Sequence, residues 1–170
     1  MKKVTLIALA LVLCLGAIGI GYTKWFDRLE ISGTIYTGEL DAQLSAGPSW
    51  DSEPVEKDFS SINCTVDEQN PKLLHVVIEN AYPSIWYYQT FDITNTGTIP
   101  FIVDNVTINM GNLPPTTDIE IGPWPVGAQI HPPHSFFYDL GVHLNNDAVE
   151  GGTYWFTIEI FCTQWNEAFT

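Results

Sequence analysis

The chain of 170 residues carries 20 Asp and Glu against 6 Lys and Arg, a formal net charge of −14. No Lys or Arg lies beyond Lys72, so the larger part of the chain cannot displace the counterions of a phosphate backbone, and nucleic-acid binding is excluded. The length suits one domain with one real core, and no internal repeat is visible.

Met1-Lys2-Lys3 opens onto twenty uncharged residues, Val4 to Thr23. A short basic start before a run rich in Leu, Ala, Gly and Ile is the pattern of an export signal. Residues 1–23 are therefore read as a signal peptide, with small residues at Ala17, Gly19, Gly21 and Thr23 near its end. No Ala-x-Ala precedes Trp25, and twenty uncharged residues also suffice to span a bilayer. Retention as an anchor is thus the alternative, and this segment is the only route to a membrane. A lipobox is excluded, because Leu13 precedes Cys14 where a small residue is needed. Cleavage would leave 4 cationic against 20 acidic residues. The simplest meaning of such a charge is a strongly solvated secreted surface. Acidic clusters could bind divalent cations, but no oxygen-ligand loop pattern is visible, so neither metal nor cofactor is expected.

Residues 24–45 form the next segment, a strand running on directly from the leader. Leu29, Ile31 and Ile35 share one face, with Gly33 between them where space is tight. Such a strand at a free terminus can add to the sheet of a neighbouring molecule. Residues 45–58 hold Pro, Ser, Gly and acids without alternation and read as a long loop.

From residue 46 to 170 period-two alternation dominates and helical periodicity is absent. Leu74, Val76 and Ile78 alternate with His75, Val77 and Glu79. Ile85, Tyr87, Phe91 and Ile93 oppose Trp86, Tyr88, Thr90, Asp92 and Thr94. Phe136, Tyr138, Leu140, Val142 and Leu144 form one face of the next clear strand, and Tyr154, Phe156, Ile158, Ile160 and Cys162 that of the last. Asn70-Pro71, Tyr82-Pro83, Asn95-Thr96-Gly97, Pro114-Pro115, Pro132-Pro133 and Gly151-Gly152 punctuate them as turns. Eight or nine strands with one apolar face each predict an all-β domain, a two-sheet sandwich, with a closed barrel second.

Cys64 and Cys162 are the only cysteines after the leader. In an exported chain they suggest one disulfide, and both fall on inward faces; two buried thiols are the alternative. Trp86, Tyr88, Trp155, Phe161 and Trp165 lie on the polar sides of their strands, and clustered exposed aromatics mark contact surfaces. Asn63-Cys64-Thr65 and Asn105-Val106-Thr107 are glycosylation sequons, with Asn63 and Asn105 outward because Cys64 and Val106 point in.

Catalytic motifs are absent: there is no nucleophile elbow, phosphate loop or His-Glu-x-x-His. His131-Pro-Pro-His134 is the only close histidine pair, and a zinc site needs three or four convergent ligands. Asp118 and Glu120 share one face of a short strand, a common spacing. No catalytic residue is assigned.

The leader, Trp25-Phe26-Asp27 and Gly38-Glu39-Leu40-Asp41 together resemble the start of the TasA/camelysin family, whose leaders are cut by a SipW-type peptidase. Phe91-Asp92-Ile93-Thr94-Asn95-Thr96-Gly97-Thr98-Ile99-Pro100 is similar to that family's central strand and its Asn-x-Gly turn, and Gln164-Trp165-Asn166-Glu167 to the ending of some members. The specific likeness covers the first 45 residues and residues 80–103. It implies a jelly-roll-like β-sandwich and a subunit of an extracellular filament or biofilm matrix. Its partner would be another copy of itself, which receives the N-terminal strand. The camelysin branch is annotated in the family as metallopeptidase, but this chain lacks a recognisable metal-ligand motif, so no enzyme activity is carried over. The alternatives are an anchored surface-binding module using the aromatic face and, behind it, a metallopeptidase using His131, His134 and an acidic residue.

Overall fold

The computed structural model describes residues 2–21 and 31–166. The chain divides into two units, Met1–Tyr36 and Thr37–Thr170.

In the first unit, Leu- and Ala-rich sequence forms helix α1 (Lys2–Gly21). Among the described residues no helix is long and apolar enough to cross a membrane. Residues 31–41, which hold Ile31, Gly33 and Ile35 of the expected donor strand, have no regular secondary structure within the single chain. An extended run satisfies its N–H and C=O groups only through a partner strand, and the described residues offer Ile31 to Thr37 none. Leu29, the fourth residue of the expected donor strand, lies outside the described residues, as does Trp25-Phe26-Asp27.

The second unit is mostly β, in two antiparallel sheets. Its strands are β1 (Ala42–Asp51), β2 (Ser61–Val66), β3 (Leu73–Ala81), β4 (Ile85–Asn95), β5 (Phe101–Asn109), β6 (Asp118–Gly122), β7 (Gln129–Ile130), β8 (Ser135–Leu144) and β9 (Gly152–Gln164). One sheet has the order β1-β4-β8-β6 and the other β2-β3-β9-β5-β7. Alternation produces this directly. On β9, Tyr154, Phe156, Ile158 and Ile160 are buried while Trp155 and Phe161 are exposed. Leu74, Val76 and Ile78 on β3 and Leu140, Val142 and Leu144 on β8 complete the same core from both sheets. Phe91 and Tyr138 sit opposite each other on β4 and β8, their rings stacked at 5.5 Å and 25°. Each such fully buried side chain contributes about 1.5–3 kcal/mol by leaving water.

Three expectations change. Residues 45–51, read as loop, belong to β1 and pair with β4, so the β domain begins before residue 46. The segment hides its strand character because it is an edge strand with a register shift between Ala46 and Ser49. That irregularity covers Thr90, expected outward but buried, whose Oγ1 donates to the Pro48 carbonyl at 3.0 Å. Phe136 keeps the inward phase of β8 yet remains exposed, because it lies at the strand's start.

The disulfide is also corrected: Cys64 and Cys162 are free. Their inward phase is right, but the register separates them. Cys64 pairs with Val76, which pairs with Phe156, and Cys162 lies further along β9. Six residues of strand and two strand spacings put the α-carbons more than roughly 20 Å apart, against the 4.4–6.8 Å or so that a bridge needs. Burial pushes the Cys64 thiol up to about 12. It pushes Cys162 up to about 11, with Lys72 acting in the opposite direction.

Before β1 the chain is pinned. Glu39 O accepts from Thr98 N at 2.8 Å and Ile99 N at 3.3 Å, and Asp41 O from Thr96 N at 3.0 Å and Gly97 N at 3.3 Å. Glu39 N donates to Thr98 Oγ1 at 2.8 Å, and Thr96 Oγ1 to Asp41 Oδ2 at 2.6 Å. A Cβ on Gly97 would overlap Glu39 O and lie 2.7 Å from Asp41 N, so only glycine lets the two segments approach. Gly38-Glu39-Leu40-Asp41 and Asn95-Thr96-Gly97-Thr98-Ile99 thus meet as one clamp.

Candidate functional site

The outer face of the four-stranded sheet carries a row of aromatic rings. Trp86 and Tyr88 project outward from β4 at i and i+2, Trp50 lies opposite Tyr88 on β1, and His143 opposite Trp86 on β8. Neighbouring rings are near-parallel: Trp50 and Tyr88 at 5.4 Å and 18°, Tyr88 and Trp86 at 6.0 Å and 10°, Trp86 and His143 at 4.7 Å and 14°. Gly141, opposite Tyr88, leaves bare backbone beneath them; a Cβ there would meet the Trp86 and Tyr88 rings at 3.5 and 3.6 Å. The row ends at β6, where Asp118 Oδ2 lies 3.7 Å from His143 Nδ1, with Glu120 exposed on the same face. Stacked rings contribute about 0.5–1.5 kcal/mol per pair beyond their area, which holds this row as a unit.

At the end of β1 the chain turns into a cleft of about 400 Å³, lined by Trp50, Asp51, Glu53, Asp58, Ser60 and Ile62. Ligand oxygens of Asp51, Glu53 and Asp58 lie within 4.8 Å of one another. Asp51 Oδ1 accepts from Glu53 N at 2.9 Å. Glu53 accepts from Ser60 Oγ at 2.5 Å, Phe59 N at 2.8 Å and Ser60 N at 3.3 Å. Burial raises the Asp51 carboxyl, and the charges of Glu53 and Asp58 add to the rise over the lowering bond from Glu53 N. Burial also pushes Glu53 upward, but the bonds from Ser60 and Phe59 outweigh it and hold its carboxyl below the usual value. Three carboxylates supply part of the six to eight oxygens a calcium ion takes.

The signs yield a pH prediction. A carboxyl depressed in the folded state contributes stability above its unfolded value, lost as pH falls through the folded one; a raised carboxyl does the reverse. Glu53→Gln should therefore flatten the fall in melting temperature between roughly pH 5 and pH 3. Asp51→Asn, which keeps an acceptor for Glu53 N, should raise the melting temperature at neutral pH. Thermal scans across pH check both, and an unchanged acid limb in Glu53→Gln would contradict the assignment.

The five aromatics read as one contact surface are divided. Trp86 and Tyr88 face outward from the four-stranded sheet, while Trp155 and Phe161 face outward from the five-stranded sheet and Trp165 follows β9, half exposed. Trp50 and His143 were missed, Trp50 because it sits in the segment read as loop. Its pairing with Tyr88 depends on a register shift the sequence does not display. His131 and His134 are exposed on a turn closed by His134 N donating to His131 O at 2.7 Å. Neither belongs to the carboxylate group at Asp51.

Comparison with protein-family models, curated proteins and solved structures returns no match.

Proposed function

We propose that the chain is an exported structural subunit of an extracellular filament or biofilm matrix, polymerising by addition of its N-terminal segment to the sheet of the next copy. The observation that carries this is an apolar arm without a partner strand among the described residues: Ile31, Ile35 and Tyr36 are 86, 90 and 90% exposed and precede the Gly38–Asp41 clamp. An extended segment gains backbone bonds and side-chain anchors together when it joins a sheet edge. The edge of β5 supports this reading, since β5 pairs with β7 only through Phe101 and Ile102. From Asp104 to Asn109 its other side has no strand among the described residues, and Val106 and Ile108 there are only half-buried. A head-to-tail contact of this kind does not close on itself and so propagates.

The resemblance to the TasA/camelysin family supports the same reading, as does the meeting of two of its motifs in the clamp. β9 lies between β3 and β5, and β3, β4 and β5 alternate between the sheets, a connectivity that supports the jelly-roll form. No enzymatic role is proposed. Deleting residues 24–37 should leave soluble monomers by size-exclusion chromatography and empty fields by negative-stain microscopy. Filaments from the deleted protein would refute strand addition.

The row Trp50, Tyr88, Trp86 and His143 favours one second reading, a surface-binding module that takes glycan on its aromatic face. Monomers that bind an insoluble polysaccharide and lose it on Trp86→Ala would support that instead.

A further inference from the structure

We propose that Asn63 and Asn105 carry N-linked glycans that cover the outer face of the five-stranded sheet. The proposal rests on export of the chain.

An Asn-x-Thr sequon needs its amide and hydroxyl accessible on one side, and a strand places i and i+2 there. Asn63 and Thr65 on β2, and Asn105 and Thr107 on β5, are all exposed, while the intervening Cys64 is buried and Val106 half-buried. Asn105 Oδ1 accepts from Val106 N at 2.9 Å, which leaves its nitrogen turned away from that bond. Neither amide nitrogen has a hydrogen-bond partner among the described residues.

The topology adds what the motifs alone do not contain. β2 and β5 belong to the same sheet with β3 and β9 between them, so both sequons decorate one face. Asn63 pairs with Val77, which pairs with Trp155, and Asn105 pairs with Phe161. Three strand spacings and six residues along β9 separate the two asparagines by roughly 24 Å, far enough for two glycans to stand side by side. Exposed rings share that face: Phe161, 43% exposed, lies directly across from Asn105, and Trp155, 47% exposed, lies beyond Val77, two strand spacings or roughly 10 Å from Asn63. The apolar C–H face of a first sugar packs on such a ring, and this gives the two aromatics a covering that the chain itself does not supply.

In the modification, the asparagine amide nitrogen attacks C1 of an oligosaccharide carried on a polyprenyl phosphate, the donor class, held by a membrane transferase. The C–N bond forms, the C1–O bond to phosphate breaks, the amide loses one proton, and the polyprenyl phosphate leaves.

The test is intact-mass and peptide mass spectrometry of the full-length chain recovered from outside its own host cells. Glycan mass is expected on both the Asn63 and Asn105 peptides. Asn63→Gln and Thr65→Ala should each lose the first, and Asn105→Gln and Thr107→Ala the second. Threonine variants that lose the mass identify a sequon-directed transfer rather than another modification. The double variant Asn63→Gln/Asn105→Gln should travel at its polypeptide mass and keep its β circular-dichroism spectrum. Secreted protein with both peptides unmodified overturns the glycans and leaves strand addition standing. Modified protein whose full-length form makes no filaments refutes strand addition and leaves the glycans standing. Unmodified protein confined to the cell overturns both.

Discussion

Asn95→Ala is expected to lower the melting temperature by about 10 °C. Asn95 ends β4 and is fully buried. Its Nδ2 donates to Ile99 O at 2.9 Å and Ile130 O at 2.8 Å, and its Oδ1 accepts from Gly97 N at 3.0 Å. One amide thus ties the turn after β4 to itself and to β7. Truncation leaves the buried Ile130 carbonyl and the half-buried Ile99 carbonyl and Gly97 N–H unpaired, at about 1–3 kcal/mol for each group water cannot reach. A total near 3–4 kcal/mol converts to the stated shift at roughly 2–4 °C per kcal/mol. Asn95→Asp should be worse, because a carboxylate would face two carbonyls with no proton to give. The same change should loosen the clamp, so the amides of Thr96 to Ile99 should exchange hydrogen faster than those of β9. A melting temperature within 2 °C or so of the parent would show that the network is dispensable.

Gly111→Ala should cost about as much for a different reason. Gly111 has φ +54°, a left-handed conformation that costs other residues roughly 1–2 kcal/mol. A Cβ there would also overlap the carbonyl oxygen of Trp155, a backbone atom that cannot swing aside. The turn must move, yet it is fixed to β9: Asn112 N donates to Trp155 O at 3.1 Å, Asn112 Nδ2 to Thr153 O at 3.1 Å, and Trp155 N to Asn112 Oδ1 at 2.6 Å. Strain and lost bonds together reach about 3–4 kcal/mol. Chemical denaturation should register it as a lower midpoint at an unchanged slope. A variant as stable as the parent would mean that the turn can detach without consequence.

The strands best read from the sequence are those whose burial is decided by their own pattern. Leu74, Val76 and Ile78, or Tyr154, Phe156, Ile158 and Ile160, alternate because one side meets the core and the other water. β1 escaped because its second half, Gly47-Pro48-Ser49-Trp50, has no apolar alternation and sits at an edge, held by backbone pairing to β4. Thr90 and Asn95 look like surface residues, and their burial comes from segments distant in the chain. The two cysteines show the same limit in reverse, since phase is local while register between strands is not. The candidate site follows suit. Trp86 and Tyr88 were visible as outward rings on one strand, but Trp50, His143 and the carboxylate group at Asp51 come together only through strand pairing and the turn beyond β1.

The clamp also fixes how the folded unit meets mechanical tension. A pull on Thr37 along the strand axis arrives first at Glu39 and Asp41, which grip the turn following β4. It passes next into the row of pairs from Ala42 and Asn95 to Ala46 and Phe91. Those bonds lie across the direction of pull and resist together in shear, whereas a peeling force would open them singly. β4 is flanked by β1 and β8, so the load spreads into the middle of its sheet instead of stripping a rim. The register shift after Ala46 marks where that shared resistance stops.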